Sequence, residues 1–260
     1  MTVAARQPHA VLDLPSRRLK GLKIERLLGL AERRQPLRLL EIGTGSGGIA
    51  HYFATHPTLQ CVVTAVDVVD QRLVRDGYDF RLVHDTALPF ADACFDVVLS
   101  NHVIEHVGER AAQFAHLREL RRVMAPDAVG YLAVPNRWML VEPHYRLAFL
   151  SWLPRPLRTP YLRLMRRGER YDVEPLTLSR LDVLLAEAGF AWRHLEVEAL
   201  RATLDIEGAH GPGARLAGWL PDRVLALARR AIPTLICRIG SQDWGLPGNA
   251  PIDPNDRPGS

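Results

Sequence analysis

Cysteine is scarce in this chain. There are three, Cys61, Cys94 and Cys237, among 260 residues. The number is odd and the spacing matches no zinc-ligand pattern, so neither a disulfide framework nor a structural metal site is implied. Cys61 falls in an apolar strand pattern, where a free thiol packs as a small hydrophobe. Without disulfides, a reducing cytoplasm is the expected compartment. No apolar run approaches the ~20 residues needed to span a bilayer, and the first residues carry no secretory apolar segment. No internal repeat is visible. Aromatic residues make up 7% of the chain and form no RNA-binding signature, and a net charge of +4 is weak grounds for a polyanionic partner. What remains is a globular chain long enough to bury one ordinary core.

The richest stretch is Leu37 to Ala50, LRLLEIGTGSGGIA. The apolar run Leu37-Leu39-Leu40-Ile42 predicts a buried parallel strand. Gly43, Gly45, Gly47 and Gly48 follow it, as a tight turn opening a helix requires. Free N–H groups at a helix start suit an anionic group. Two ligand readings fit this loop. Gly43, Gly45 and Gly48 satisfy G-x-G-x-x-G, the dinucleotide fingerprint. Glu41 with Gly43, Gly45 and Gly47 satisfies E-x-G-x-G-x-G.

The following segments decide between them. Cys61–Val66 predicts a second strand ending at Asp67, and Phe80–His84 a third ending at Asp85. Then come Leu88-Pro89-Phe90, the strand pattern Phe95–His102, and Glu105-His106-Val107. Three carboxylates at strand ends suit a ligand with an ammonium group, a ribose and an adenine amino group, and suit a pyrophosphate poorly. The bland alternative for Asp67 and Asp85 is a helix N-cap, which Asp favours.

The E-x-G-x-G-x-G loop, the D-x-x-x-L-P-F run, F-D-V-V and the E-H-V that follows resemble the core of the class I S-adenosylmethionine (SAM) methyltransferases over residues 37–136. That resemblance implies an α/β, Rossmann-like doubly wound sheet, mostly parallel with a final antiparallel strand, and SAM as cofactor. It implies that Glu41 and the backbone of Gly43, Thr44, Gly45 and Gly47 hold the methionine end. Asp67 would bind the ribose diol with Val68 against the adenine. Asp85 would accept from the adenine amino group, with Thr86 beside it, and Asn101 and His102 would face the methyl group.

Residues 1–36 are expected to form an N-terminal helical cap, with a helix over Leu19–Arg34, and residues 37–136 the SAM-binding core. Residues 137–176 form an insertion longer than a normal crossover, the expected lid over the acceptor. Residues 177–244 complete the core: Thr177 caps a helix ended by Gly189, Trp192–Leu200 reads as a sixth strand, Pro221–Ala231 as a helix and Thr234–Ile239 as the last strand. Residues 245–260, rich in Gly, Pro and Asp, read as a flexible tail.

The insertion carries Trp138, Tyr145, Phe149, Trp152, Tyr161 and Tyr171 among many arginines, with hardly any acid between Arg146 and Arg167. Such a segment suits an acidic or apolar acceptor, or peripheral contact with an anionic membrane, while solvated arginines on a packed hairpin are the plain alternative. Nucleic acid is not expected, because Ser100-Asn101-His102-Val103 lacks an aromatic partner for a flipped base. Methyl transfer from a sulfonium needs alignment and, for an oxygen or nitrogen nucleophile, a base. The candidate bases are His102 and, on the insertion, His144 with Tyr145 beside it; His106 reads as structural. His102-Val103-Ile104-Glu105-His106 is similar to the metal-binding E-x-x-E-H run of quinone-ring O-methyltransferases, but His102 replaces the first Glu. Adjacent side chains diverge on a regular helix, so no metal is expected. The acceptor is expected to be a small molecule methylated on an oxygen of a sugar, lipid-linked or phenolic metabolite. The alternatives are a quinone or natural-product methyltransferase acting on nitrogen or carbon, and a non-catalytic SAM-binding partner or sensor. The oligomeric state is open.

Overall fold

A computed structural model describes residues 13–208, 211–227, 229 and 232–241. The expected tail lies outside the described residues. The N-terminal helix α1 spans Leu14–Leu28. Asp13 caps it by accepting from the Ser16 N–H, Pro15 stands in its first turn, and Gly29 ends it in the left-handed conformation at φ 62°. It starts earlier than Leu19 because the Asp-Leu-Pro-Ser start signal outweighs the paucity of apolar residues there. A short 3-10 turn, Leu30–Glu32, follows.

The strands are β1 (Leu37–Ile42), β2 (Cys61–Asp67), β3 (Asp79–Leu82), β4 (Phe95–Asn101) and β5 (Met124–Pro135). Helix α2 (Gly48–Ala54) follows β1, and α3 (Arg110–Val123) follows β4. After β5 come a two-residue hairpin, β6 (Val141–Glu142) with β7 (Leu147–Ala148), and helix α4 (Arg155–Leu164). Then follow α5 (Leu178–Glu187), β8 (Ala191–His194), α6 (Glu196–Glu207), α7 (Pro212–Trp219), α8 (Asp222–Leu227) and β9 (Thr234–Gly240).

Seven strands form one sheet in the order β3-β2-β1-β4-β5-β9-β8. β1 to β5 pair in parallel, and β9 runs antiparallel to both β5 and β8. The doubly wound sheet and its final antiparallel strand match expectation. Alternation along the strands divides the core in two. Leu40, Ile42, Val66, Val98 and Leu132 face α3 and α5. Leu39, Val63, Val97, Leu99 and Tyr131 face α1, α2 and α6. The central strands are therefore buried on both sides, which is why β1 and β4 read as nearly continuous apolar runs. Chain order reverses between β1 and β4, so the crevice at their carboxyl ends is where an open α/β sheet takes its ligand.

Residues 191–200 depart from expectation. The strand stops at His194, and Glu196–Glu207 is helical rather than extended. Glu196, Glu198, Ala199 and Leu200 are strong helix formers, and acidic residues suit a first turn. Glu196 is buried: its carboxylate accepts from the Ile236 N–H and meets His194 and Arg229. β3 is also shorter than expected, leaving His84 and Asp85 in the bend beyond it. Both ends of the 137–176 insertion are pinned together, with a bridge between Asn136 and Leu176 and a bond from the Arg137 N–H to the Leu176 carbonyl at 2.9 Å. Its own small core is Tyr145, Leu147, Leu150, Leu162 and Val173.

Candidate active site

The turn after β1 is built backbone on backbone. The Gly43 N–H donates to the Val66 carbonyl at 2.8 Å, and the Gly47 N–H to that of Thr44 at 3.0 Å. Gly47 sits at φ 80°, and a Cβ there would lie 2.3 Å from the Tyr78 hydroxyl and 2.4 Å from the Val74 carbonyl. At Gly43, φ 73°, a Cβ would meet Val103 at 2.4 Å. Glycine is therefore the side chain that both the backbone angle and the space admit. Asp67 draws this turn against β2: one carboxylate oxygen accepts from the Gly45 N–H at 2.9 Å and the other from the Val68 N–H at 2.7 Å.

Glu41 and Thr44 are both buried, and the Thr44 hydroxyl donates to Glu41 at 2.6 Å. Burial pushes the Glu41 carboxyl up to about 8, against the lowering effect of hydrogen bonds from Thr44 and the Ala50 N–H. Glu41 thus ties the turn to the start of α2, rather than offering a solvent-facing charge, and the three-carboxylate picture must be corrected there: burial this deep favours the neutral acid. Arg17 of α1 stands behind this turn, which the sequence reading did not foreshadow. It packs on Gly48, its charge acts on Glu41, and its Nε is buried without a hydrogen-bond partner. The start signal of α1 could have revealed it.

Asp85 lies on the neighbouring edge, because the Val83 N–H donates to the Asp67 carbonyl at 3.0 Å. Asp85 is exposed, Thr86 is half-buried, and the Asp85 carboxylate accepts from the Ala87 N–H at 2.7 Å. No helix follows Asp67 or Asp85 before the next strand, so neither is a helix N-cap. Val68 is 51% exposed at the mouth of the crevice. Asn101 ends β4 with its side-chain oxygen buried and without a hydrogen-bond partner. A buried orphan acceptor suits a donor on a ligand.

His102 leaves β4 in the left-handed conformation, φ 60°, with its N–H on the Ala133 carbonyl at 2.9 Å. Such a conformation is uncommon for a residue with a side chain, and residues so held cluster at functional sites. Its Nδ1 lies 3.3 Å from Glu105, whose side chain is completely buried. Burial by itself would raise the Glu105 carboxyl. The hydrogen bond from His102 and the charges of His102 and His106 outweigh it and hold Glu105 below the usual carboxylate range.

His144 arrives from the insertion. Its ring packs edge-on against His106 at 5.0 Å, and its Nδ1 lies 2.6 Å from buried Glu142. Burial would lower His144, but the Glu142 hydrogen bond and the nearby carboxylates hold it above the ordinary imidazole value. Its Nδ1 is engaged by Glu142 within the insertion. Tyr145 is 5% exposed, and its hydroxyl donates to Asp172 at 2.9 Å and to the Arg170 carbonyl at 3.0 Å. The expectation that Tyr145 meets the acceptor is corrected to a packing role, because both its ring and its hydroxyl are committed within the insertion.

Glu105, His106 and His144 each offer one ligand atom, all within 4.8 Å of one another. Residues 104–106 form a turn, not a regular helix, so Glu105 and His106 do converge. The donor set is of a type that suits a transition metal better than magnesium.

Residues 40–132 match a protein family described as a methyltransferase domain. Over those residues the chain carries a methyltransferase domain and is similar to the class I SAM-dependent methyltransferases. SAM is the cofactor of this family. The chain is 30% identical over 176 residues to the ubiquinone biosynthesis O-methyltransferase of Parvibaculum lavamentivorans, covering 62% of this chain and 61% of that protein. It is 33% identical over 129 residues to the tuberculostearic acid methyltransferase of Mycobacterium tuberculosis, covering 47% and 30%. It thus spans less than two thirds of the length of either relative. In structure it is similar to a methyltransferase solved with the Trm112 activator of Haloferax volcanii, with a TM-score of 0.52, 15% identity, and coverage of 92% of this chain and 99% of that one. That likeness concerns the fold alone. Among the described residues no helix is long and apolar enough to cross a membrane.

Proposed function

We propose that this chain transfers the SAM methyl group to an oxygen of a small-molecule acceptor, with His102 as general base. The observation that carries the reading is the His102–Glu105 pair. Glu105 lies 3.3 Å from Nδ1, so we assign the acceptor's proton to Nε2. The strained turn sets that imidazole at the carboxyl end of β4, beside the crevice.

SAM supplies a methyl group already activated on a sulfonium. The backbone of Gly43–Gly47, with Glu41 and Thr44 behind it, holds the methionine end. Asp67 takes the ribose hydroxyls through lone pairs left beside its two backbone bonds. Val68 covers one adenine face, Asp85 accepts from its amino group beside Thr86, and the Asn101 oxygen takes a cofactor N–H. His102 then removes the acceptor's proton as the methyl is aligned, so the work of the protein is placement and proton removal. Glu105 stabilises the imidazolium that forms. No step here uses a metal.

The relatives are a ubiquinone biosynthesis O-methyltransferase and a tuberculostearic acid methyltransferase, which supports a lipid-linked or phenolic acceptor over a free sugar. A quinone or natural-product acceptor on nitrogen or carbon remains the second enzymatic reading. The non-catalytic reading keeps the donor half and loses the base. The test is S-adenosylhomocysteine release with candidate acceptors, for the native chain and for His102→Ala. The variant should lose about a hundredfold in turnover with SAM affinity near native. Full activity in the variant excludes His102 as base.

A further inference from the structure

Methyl transfer leaves the outer face of residues 137–176 without a task, and that face is apolar and basic at once. In α4, Arg158 and Leu162 point inward and are buried. Leu157, Leu164 and Met165 recur at i, i+7 and i+8 as a second, exposed strip, while Tyr161 between them packs back on the insertion's own core. Leu164 is 78% exposed, and Leu157 and Met165 are exposed with it. Beside this stripe, Trp152 stacks edge-on against Trp138 at 5.7 Å and Phe149 at 5.2 Å, and all three rings are exposed. Aromatic clusters this open belong to interfaces rather than to a core.

Charge identifies the occupant. Arg146, Arg166, Arg167 and Arg170 are exposed, and none forms an ion pair among the described residues. Between Arg137 and Arg170 there are two acidic residues, of which Glu142 is buried and Glu169 exposed. A second copy of this chain would set the arginines against each other across a two-fold interface. A nucleic acid would take the arginines and rings but leave Leu157, Leu164 and Met165 in water. An anionic bilayer takes every part: aliphatic side chains below the headgroups, tryptophans at the boundary and arginines on the phosphates. The face is fastened to the crevice, since His144 packs on His106 and the Glu174 N–H donates to the Glu105 carbonyl at 2.8 Å.

We infer that residues 137–176 seat the protein on an anionic membrane surface, through the outward stripe of α4 and the Trp138–Phe149–Trp152 cluster. The consequence that the acceptor comes from the lipid phase rests on the methyl-transfer reading.

The test is co-sedimentation of the full chain with vesicles of phosphatidylglycerol and phosphatidylcholine in equal parts, against phosphatidylcholine alone, at low and high salt. Strong binding to the anionic vesicles is expected, weakened by salt. Leu157→Glu with Leu164→Glu, and separately Arg166→Glu with Arg167→Glu, should each weaken it at least about tenfold. Native thermal midpoint and SAM binding in both variants show that the fold is intact. No sedimentation with anionic vesicles at low salt overturns the inference. So does binding that survives the leucine changes and falls only with the arginine changes, the mark of a general polyanion site. So does a solution dimer that Leu164→Glu dissociates. Calorimetry with SAM separates the two proposals: vesicle binding without SAM binding sinks the methyl-transfer reading and leaves the membrane surface standing, and the reverse result does the opposite.

Discussion

The two halves of the crevice are built in different ways. The donor half, after β1 and β2, is backbone held by backbone and by Asp67, within a span of thirty-odd residues. The acceptor half, after β4, is side chain held by side chain: His102 on Glu105, His144 on Glu142, and His106 between them. Its parts come from two segments that meet only because the insertion folds back on the turn after β4. A donor half of this kind tolerates few changes, because glycine positions are set by geometry. An acceptor half made of titrating groups can be retuned one residue at a time.

Breaking the donor half should cost most. Gly47→Ala adds a Cβ into the Tyr78 hydroxyl and the Val74 carbonyl at φ 80°. Clash and strain together should remove about 4 kcal/mol of stability, read by urea unfolding, with SAM binding lost. A variant as stable as the native chain would show that the turn yields.

A cut outside both halves serves as the control. His194 is buried between Asp182 at 2.8 Å and Glu196 at 3.1 Å, with Cys237 alongside. Burial opposes its charge, but the hydrogen bonds to Asp182, Cys237 and Glu196 win, and it is pushed up to about 12. His194→Gln leaves Asp182 without its cation and Glu196 with Arg229 alone, and should cost about 3 kcal/mol. The raised group stabilises the fold fully below its unfolded value of about 6.5. That contribution shrinks as pH rises from there towards 12, by at most about 1.4 kcal/mol per unit. Urea midpoints measured from pH 6 to 9 should therefore slope downward more steeply in the native chain than in the variant. SAM affinity per folded molecule should stay native.

Asp67→Ala returns to the donor half. It removes charged hydrogen bonds, and SAM affinity measured by calorimetry should fall by about 2 kcal/mol. An unchanged affinity would contradict its place on the ribose. Glu105→Gln sharpens the comparison from the other side. It keeps the shape and removes the charge that supports His102. Turnover should fall about tenfold, or about 1.4 kcal/mol in barrier, with SAM affinity unchanged and the acid limb of the pH profile, where the base sheds its proton, displaced. Because Glu105 is depressed, its contribution to stability is present above the ordinary carboxylate value and is lost as pH falls through its own lower one. Below about pH 4 the native chain and Glu105→Gln should therefore converge in stability. An equal loss of SAM affinity would mean that the two halves are not separable.

Local signals made the donor half readable. Apolar runs, the glycine spacing and the carboxylates at strand ends all lie within one strand–turn–helix unit or at the tip of the next strand. The same reasoning located α3, α5 and β9 to within a residue or two. It misjudged residues 195–200, where strand and helix formers meet and a buried contact from Glu196 to Ile236 settled the matter. It also missed Arg17, whose meaning depends on α1 folding across the start of α2, and it gave Tyr145 a role that its bond to Asp172 leaves no room for.

From the order of its residues alone, this chain determined a doubly wound sheet with a glycine turn at its carboxyl edge, because period, propensity and turn chemistry act over a few residues. Tertiary structure decided what stands opposite that turn. It made Glu41 a buried brace, paired His102 with Glu105, brought His144 across from another segment and turned a leucine stripe outward. Those outcomes follow from burial, charge pairing and chain closure, which act between residues distant in sequence.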